Sequence, residues 1–297
     1  MELRVLQYFL AVAREQSISA AAQSLHLSQP TLSTQLKALE QELGKQLLIR
    51  GSKGSRKVTL TEEGMILRKR AEEILDLVQK AEHEILLSAD AIAGDVCIGA
   101  GESQAIRLFA KAAKELRTAY PDIHYHIFSG NSVYVMEQLE KGLIDFGLVY
   151  GPVDSTKYEA LSIPVKDLWG VLMRKDDPLA EKEAIQAEDL WDKPLILSNQ
   201  KSGGWPLTSW LKRDPRRLNI VATYNLLFNA SLLTSEGFGY TLCFDRLINT
   251  TGDSDLCFRP LSPRLESAAS IVWKKYQILS KAAEKFLQQL EHIFESA

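Results

Sequence analysis

The sequence is poor in cysteine and has no long apolar run. Cys97, Cys243 and Cys257 lie far apart and are odd in number, which excludes a disulfide framework and a metal-spaced cysteine pair. No stretch approaches the roughly 20 apolar residues that a membrane-spanning helix needs. The first residues also lack a charged leader followed by an apolar segment. We therefore expect a cytoplasmic protein with no membrane partner.

Motifs for catalysis are absent as well. The sequence contains no phosphate-binding glycine loop, no nucleophile elbow and no metal-spaced cluster of histidines. A chain of 297 residues with 45% hydrophobic and 25% charged residues suffices for two domains, each with its own core. We expect neither an enzyme nor a bound metal or cofactor. The five histidines are scattered and predict packing or surface roles: His26, His83, His124, His126 and His292.

Acidic residues are missing from two N-terminal stretches, residues 16–39 and 43–61, although the whole chain carries a formal charge of −3. Because affinity for phosphates depends on local positive charge, a basic stretch can bind nucleic acid in an acidic protein. A solvated loop of lysines remains the alternative. The second stretch carries Lys45, Arg50, Lys53, Arg56 and Lys57.

Apolar spacing predicts three helices in the first 45 residues. The first follows from Leu3, Leu6 and Phe9. Ser17 or Ser19 can cap a short second helix, and Ser28 suits the N-cap of a third helix with Pro30 in its first turn. The third helix is predicted to bury Leu32, Leu36, Leu39 and Leu43.

The opposite face of the third helix contains no carboxylate. A helix that enters the major groove must avoid repelling phosphates and must present small polar groups to base edges. We therefore predict a helix-turn-helix with the third helix as recognition helix; an ordinary solvated helix is the alternative. This face holds Pro30, Thr31, Thr34, Lys37 and Gln41, with Ser33 at its edge.

A wing and a long helix are predicted next. Residues 47–49 and 57–60 read as two short strands around a basic, turn-rich tip. A helix then runs from Thr61 to about Asp90, and its apolar residues step by four and three, the spacing of a two-stranded coiled coil. We predict dimerisation through this seam; a helix packed on its own domain is the alternative. The seam comprises Leu67, Ala71, Ile74, Val78, Ala81 and Ile85.

From Gly94 onward short apolar strands alternate with helices, the pattern of a parallel α/β sheet whose ligands lie at the carboxyl ends of strands. Two crossovers, near Ile163 and Ala268, indicate two lobes. The predicted fold is thus α/β with an N-terminal winged helix-turn-helix (1–60), a linker and dimerisation helix (61–91) and a two-lobed ligand-binding domain (92–297). Lobe I comprises residues 92–163 and 268–297, and lobe II comprises residues 164–267.

The first 65 residues closely resemble the LysR-type transcriptional regulators, and the rest of the chain resembles them more loosely. The segment 142–148 is similar to a recurrent segment of that family, whose effector domain resembles periplasmic binding proteins. Departures are Leu48-Ile49 in the wing, a longer wing tip, and Phe244 where the family often has proline. The segments that carry the resemblance are 6–9, 12–13, 17–22, 25–33, 35–40, 43–44, 47–50 and 60–64.

The resemblance implies a regulator of double-stranded promoter DNA that forms a homodimer or homotetramer and responds to a small-molecule effector. RNA polymerase is a further candidate partner. Gln29 enters the DNA-binding set on the resemblance alone, whereas periodicity also favours the other positions of the third helix, Ser33 marginally. The predicted DNA-binding residues are Ser19, Gln29, Pro30, Thr31, Ser33, Thr34, Lys37, Arg50, Lys53, Arg56 and Lys57.

The effector cleft is expected between the lobes, at polar strand ends. These amides and hydroxyls favour a small carboxylate or an amino-acid-like molecule. Two rival interpretations stay open: an enzyme or solute-binding domain with an appended helix-turn-helix, and a thiol-based redox regulator. By the resemblance, the effector-binding residues are Ser103, Gln104, Gly130, Asn131, Tyr150, Ser198, Asn199 and Asn225.

Overall fold

The computed structural model describes residues 1–51, 57–86, 92–199 and 206–296. The chain divides into two compact units, Met1–Leu86 and Leu87–Ala297. Among the described helices, none is both long and apolar enough to cross a membrane.

The N-terminal unit consists of four helices and a two-stranded antiparallel sheet. The predicted elements are confirmed to within about two residues where the chain is described. Residues 52–56, the predicted wing tip, lie outside the described residues. The elements are α1 (Leu3–Glu15), α2 (Ile18–Ser24), α3 (Gln29–Leu43), β1 (Leu48–Arg50), β2 (Val58–Leu60) and α4 (Glu62–Leu86).

Side-chain caps fix where α2 and α3 begin. Ser17 caps α2, because its hydroxyl accepts a hydrogen bond from Ala20 N, and Ser19 is left exposed. Ser28 caps α3 as predicted. The predicted burial of Leu43 is wrong: its side chain is 41% exposed. Leu43 is the last residue of α3, and Gly44 then turns the chain in a left-handed conformation. The core of this unit packs Val5, Phe9, Val12, Ala21, Leu32, Leu36, Leu39, Leu47 and Val58.

A glycine packs the start of α4 against β1. Thr61 accepts a hydrogen bond from Gly64 N at its side chain and donates one from its own backbone N–H to the carbonyl oxygen of Leu47. A Cβ on Gly64 would overlap that same carbonyl oxygen. The first turn of α4 therefore lies directly on the strand, at a distance that only glycine permits.

The C-terminal unit is a two-lobed α/β structure. Its helices are α5 (Ile106–Ala119), α6 (Ser132–Lys141), α7 (Pro206–Trp210), α8 (Leu227–Ser235) and α9 (Lys281–Glu295), with 3-10 turns at Pro178–Glu181, Ala187–Leu190 and Pro215–Arg217. Its strands are β3 (Gly94–Ala100), β4 (Ile123–Ser129), β5 (Phe146–Tyr150), β6 (Tyr158–Arg174), β7 (Leu195–Ser198), β8 (Ile220–Tyr224), β9 (Tyr240–Phe244), β10 (Leu256–Pro260) and β11 (Glu266–Lys274).

The sheet of each lobe is mixed rather than parallel, which corrects the prediction. The strand order is β4-β3-β5-β11-β6-β9-β7-β8, with β10 paired to β6. Strands joined through helices, such as β3 and β4, run parallel. β11 is antiparallel to both β5 and β6, because it brings the chain back from lobe II. Alternating helices and strands in the sequence do not reveal such a return strand.

The two lobes are connected by the long strands β6 and β11, which pair between Tyr158 and Leu168 of β6. Their register shifts between Ala268, opposite Lys166, and Ser270, opposite Ser162. This irregularity lies at the predicted crossovers. Each lobe has a separate core: Phe109, Phe146 and Phe286 belong to that of lobe I, whereas Trp169 and Trp210 belong to that of lobe II. The polar crevice between the lobes therefore lies between two separate hydrophobic cores.

Candidate nucleic-acid interface and ligand cleft

The outer face of α3 is exposed along its length. Gln29, Pro30, Thr31, Thr34 and Lys37 are exposed, and Ser33 is half-buried. The opposite face is buried through three leucines. Because the first acidic residue of α3 is at position 40, the N-terminal three turns present hydroxyls, an amide and one ammonium group. Such a surface suits the approach of phosphates and base edges.

The first turn of this face is preorganised. The Ser28 hydroxyl accepts a hydrogen bond from Thr31 N at 3.2 Å, and the two side-chain hydroxyls lie 2.7 Å apart. Thr31 is thus held in one orientation before any ligand arrives. Thr34 and Lys37 follow on the same side of the helix, one and two turns further.

A carboxylate near the end of α3 fixes the first strand of the wing. Glu40 accepts hydrogen bonds from Leu47 N at 2.9 Å and from Leu48 N at 3.0 Å. Its second oxygen lies 3.6 Å from the Arg50 guanidinium. Arg50 is therefore held beside the end of α3, while its side chain remains 36% exposed. Sequence reasoning missed this role of Glu40, since nothing local signals a bond across seven residues.

Three predicted DNA-binding residues meet in a shallow surface groove of about 170 Å³. Ser19 contributes from α2, Arg50 from β1, and Lys57 from the residue before β2. The two cations lie beside the exposed hydroxyl of α2, which gives a basic surface next to the helix-turn-helix. Lys53 and Arg56 lie outside the described residues.

A cleft of about 310 Å³ lies between the two lobes of the C-terminal unit. Strand ends and helix starts of both lobes form it, as expected for an open α/β sheet. Its walls combine aromatic rings with amides and hydroxyls. The described lining residues are Gly101, Glu102, Asn131, Ser132, Tyr150, Gly151, Trp169, Ser198, Pro206, Tyr224, Asn225, Leu227, Phe244, Leu247, Ser267 and Ala268.

Four of the predicted effector residues line this cleft, and the other four do not. Asn131, Tyr150, Ser198 and Asn225 belong to the lining. The remaining four lie close by: Ser103 and Gln104 line an adjoining groove, Asn199 accepts a hydrogen bond from Asn131 at 3.2 Å, and Gly130 packs so closely on the Tyr134 ring that a Cβ there would overlap it.

Behind Tyr150 of the cleft lining lies a buried carboxylate that sequence reasoning missed. Asp167 is 4% exposed and accepts hydrogen bonds from Ser103 Oγ at 2.8 Å, from Gln104 N at 3.1 Å and from the Tyr150 hydroxyl. Burial and the neighbouring Asp167 charge raise the pKa of Tyr150, so this phenol stays protonated and acts as a donor. Ser103, although predicted to touch ligand, has its hydroxyl engaged beneath the cleft.

Aromatic rings form one wall. The centroids of Trp169 and Phe244 are 4.3 Å apart, and those of Tyr150 and Phe244 are 5.1 Å apart. The indole N–H of Trp169 donates to Ser267 Oγ at 2.8 Å, which fixes the ring between the crossover strands. Phe244, the residue noted as unusual in the sequence, completes this wall. It offers a flat apolar surface to a ligand.

Besides the bonds to Asp167, further polar bonds join the lobes across or beside the cleft. Glu102 of lobe I accepts a hydrogen bond from the backbone N–H of Leu227, the first residue of α8 in lobe II. Gln104 Nε2 donates to the Arg246 carbonyl oxygen at 2.6 Å, and Asn131 donates to Asn199. These bonds hold the lobes around the cleft in the described conformation.

The cysteines lie away from the cleft surface. Cys243 and Cys257 are buried in β9 and β10. Burial raises the pKa of both thiols, which disfavours the reactive thiolate. Cys97 lies half-buried in β3, where its backbone N–H donates to Asp145 at 2.8 Å.

Comparisons with known proteins match the chain over almost its whole length. Residues 3–65 match the family model described as bacterial regulatory helix-turn-helix protein, lysR family, and residues 89–294 match the LysR substrate binding domain. The chain is 30% identical to the Hca operon transcriptional activator HcaR of Escherichia coli over 93% of this chain and 92% of that protein. It is 34% identical to the regulator AlsR of Bacillus subtilis over 81% of this chain and 80% of that protein.

A solved structure has the same fold. Full-length CbnR, crystallised in complex with its target DNA, matches with a TM-score of 0.75 at 20% identity, over 98% of this chain and 99% of that one.

Proposed function

Because this chain belongs to the LysR family of DNA-binding transcription regulators, we propose that it binds promoter DNA as a homo-oligomer and that a small effector entering the cleft changes this binding. The observation that carries the proposal is the acid-free, exposed face of α3. The proposed place of action is the cytoplasm, and RNA polymerase is a proposed partner at the promoter.

For DNA binding, α3 is proposed to lie in the major groove with Thr31, Thr34 and Lys37 toward the bases. The groove that contains Arg50 and Lys57 is proposed to lie along the adjoining backbone. Support comes from the exposure of these residues and from the neutralisation of Glu40, the carboxylate of α3 that lies next to Arg50. Similarity to CbnR, a protein whose structure includes its target DNA, points the same way.

For oligomerisation, α4 is proposed to pair with a second copy of itself. Its seam is only partly covered within the N-terminal unit: Ala71 is buried, whereas Ile74 and Val78 are half-buried and Ile85 is 82% exposed. A heptad seam that leaves apolar side chains in water gains most by association. A two-fold dimer would present two α3 helices to a two-fold DNA site.

For effector binding, the interlobe cleft is proposed to take a small carboxylate or an amino-acid-like molecule. The walls supply amide and hydroxyl groups from Asn131, Ser198 and Asn225, and a flat ring surface from Trp169 and Phe244. A volume of about 310 Å³ accommodates a molecule of the size of an aromatic amino acid.

The test of the DNA-binding proposal is the affinity of the full chain for the DNA upstream of its own gene, measured by fluorescence anisotropy at fixed salt. Replacing Thr31, Thr34 and Lys37 together by alanine should weaken specific binding by at least about tenfold, since each lost base contact costs 1–3 kcal/mol. Lys69→Ala on α4 is the control. Unchanged affinity in the triple variant, or turnover of a cleft ligand, would favour an enzyme or solute-binding protein instead.

A further inference from the structure

One charged side chain is found among the described residues that line the interlobe cleft. Among the described lining residues, Glu102 is the one with a formal charge; the others are aromatic, aliphatic, amide, hydroxyl or glycine residues. It is the second residue after β3, where the chain passes from the sheet into the cleft wall. Glu102 therefore contributes a negative potential at its side of the cleft.

A hydrogen bond orients the Glu102 carboxylate but engages only one of its two oxygens. One oxygen, Oε2, accepts the backbone N–H of Leu227 at the start of α8. Within the described part of the chain this is its one hydrogen bond, and no lysine, arginine or histidine forms an ion pair with it. Glu102 is half-buried as a residue, and its Oε1 is left to accept from a ligand. Glu102 also raises the pKa of the neighbouring Tyr224 and Cys243, an effect that adds to their burial, so its charge acts within the wall.

Two arginines lie near Glu102 but serve other partners. Arg107 and Arg246 line the adjoining groove, which shares Glu102 with the cleft. The Arg107 Nε donates to Gln104 Oε1 at 2.6 Å, and Arg246 Nε lies 3.5 Å from Asp245. Neither belongs to the described cleft lining.

An anionic group is the wrong complement for this arrangement. The backbone N–H groups at the start of α8 would ordinarily attract a ligand carboxylate. Glu102 already takes the Leu227 N–H, so a carboxylate there would have to displace it and would be repelled by the charge. A protonated amine instead gains a charge-assisted hydrogen bond.

We propose that the effector carries an ammonium group that pairs with Glu102 and a flat apolar body that packs on Trp169 and Phe244. This inference rests on the proposed effector function of the cleft and narrows it. An amine or a zwitterionic amino acid fits, whereas a simple carboxylate does not. In a zwitterion the carboxylate would be left to the amide and hydroxyl groups of the remaining lining.

The experiment compares three probes that share one body and differ in charge: 2-phenylethylamine, 2-phenylethanol and 3-phenylpropionate. Binding to the full chain is measured by calorimetry at neutral pH. The amine should bind about tenfold more tightly than the alcohol, and the carboxylate more weakly still, because only the amine forms a hydrogen bond in which both partners are charged.

Glu102→Gln should abolish this preference, since the amide oxygen can still accept from Leu227 N while the charge is gone. Glu183→Gln, an exposed glutamate outside the cleft lining, should retain it. Tryptophan fluorescence on heating confirms that both variants fold. Equal or tighter binding of the carboxylate overturns the proposal, and so does the absence of amine binding at millimolar concentration.

The effect of each probe on promoter affinity separates this inference from the proposed function. If 3-phenylpropionate alone bound and shifted promoter affinity, the effector function would stand and the ammonium assignment would fall. If the amine bound through Glu102 without changing promoter affinity, the assignment would stand and effector control would fall.

Discussion

The hydroxyl of Ser103 donates a 2.8 Å hydrogen bond to Oδ2 of Asp167, so that the loop after β3 is tied to the middle of the crossover strand β6. Asp167 pairs with Ser267 of the second crossover strand, one residue from the register shift. The carboxylate thus lies at the junction of the lobes and accepts donors from lobe I. Any rotation of one lobe against the other has to stretch these bonds.

Replacement of Asp167 by asparagine should destabilise the C-terminal unit by about 1–3 kcal/mol. The amide turns one acceptor into a donor and leaves a buried donor of Ser103, Gln104 or Tyr150 without a partner. All five tryptophans lie beyond residue 92, so tryptophan fluorescence in urea reports on this unit. The control is Asp192→Asn, whose side chain is 94% exposed; an equal loss in both variants would contradict the role given to Asp167.

Lys37→Ala should weaken promoter binding and flatten its salt dependence. If the ammonium group contacts a phosphate, its removal lowers the slope of log K against log salt by about one. Affinity measured across a series of salt concentrations gives this slope. Lys80→Ala on α4 removes the same charge outside α3 and should leave the slope of the parent chain; identical slopes for Lys37→Ala and the parent would exclude a phosphate contact at Lys37.

Local features of the fold were predictable because they depend on neighbours in sequence. The Ser28 cap, the leucine stripe of α3 and the strands β1 and β2 follow from spacing and from capping chemistry within a few residues. The burial predicted for Leu43 was wrong because burial at a helix end depends on where the next element packs. The antiparallel position of β11 between β5 and β6 was not predicted for a similar reason, because the pairing of a strand depends on the packing of the whole sheet.

Some residues of the candidate site could likewise be predicted from the sequence, and others could not. Asn131 and Asn225 are polar residues after strands, and a topological rule suffices to place them at the cleft. Asp167 and Glu102 act across 64 and 125 residues, on Ser103 and Leu227, and no local pattern reports such contacts. For Arg50 the sequence shows the positive charge, but it does not show that the side chain pairs with Glu40.

The buried cysteines should react slowly with alkylating agents in the folded chain. Burial raises the pKa of Cys243 and of Cys257, so less thiolate is present at neutral pH than for an ordinary thiol. Their labelling by iodoacetamide should keep rising at alkaline pH where a free thiol has already levelled off. Mass spectrometry of labelled peptides measures this, with the urea-unfolded chain as reference. Fast native labelling, or loss of effector response in Cys243→Ala and Cys257→Ala, would support a thiol-based regulator instead.

Val78→Lys should weaken or abolish the dimer proposed for α4. A lysine at this half-buried seam position puts a charge into the apolar interface of a two-stranded coiled coil. The free energy of desolvating this charge exceeds what one neighbouring apolar contact contributes to association. Gln79→Lys makes the same change in charge one residue later, at an exposed position off the seam, and should leave the mass unchanged. Sedimentation velocity distinguishes the species, and promoter affinity should fall with the dimer because two α3 helices no longer bind together. If Val78→Lys kept the mass of the parent chain while Gln79→Lys did too, association would have to use another surface, and the seam would be explained by packing within one chain.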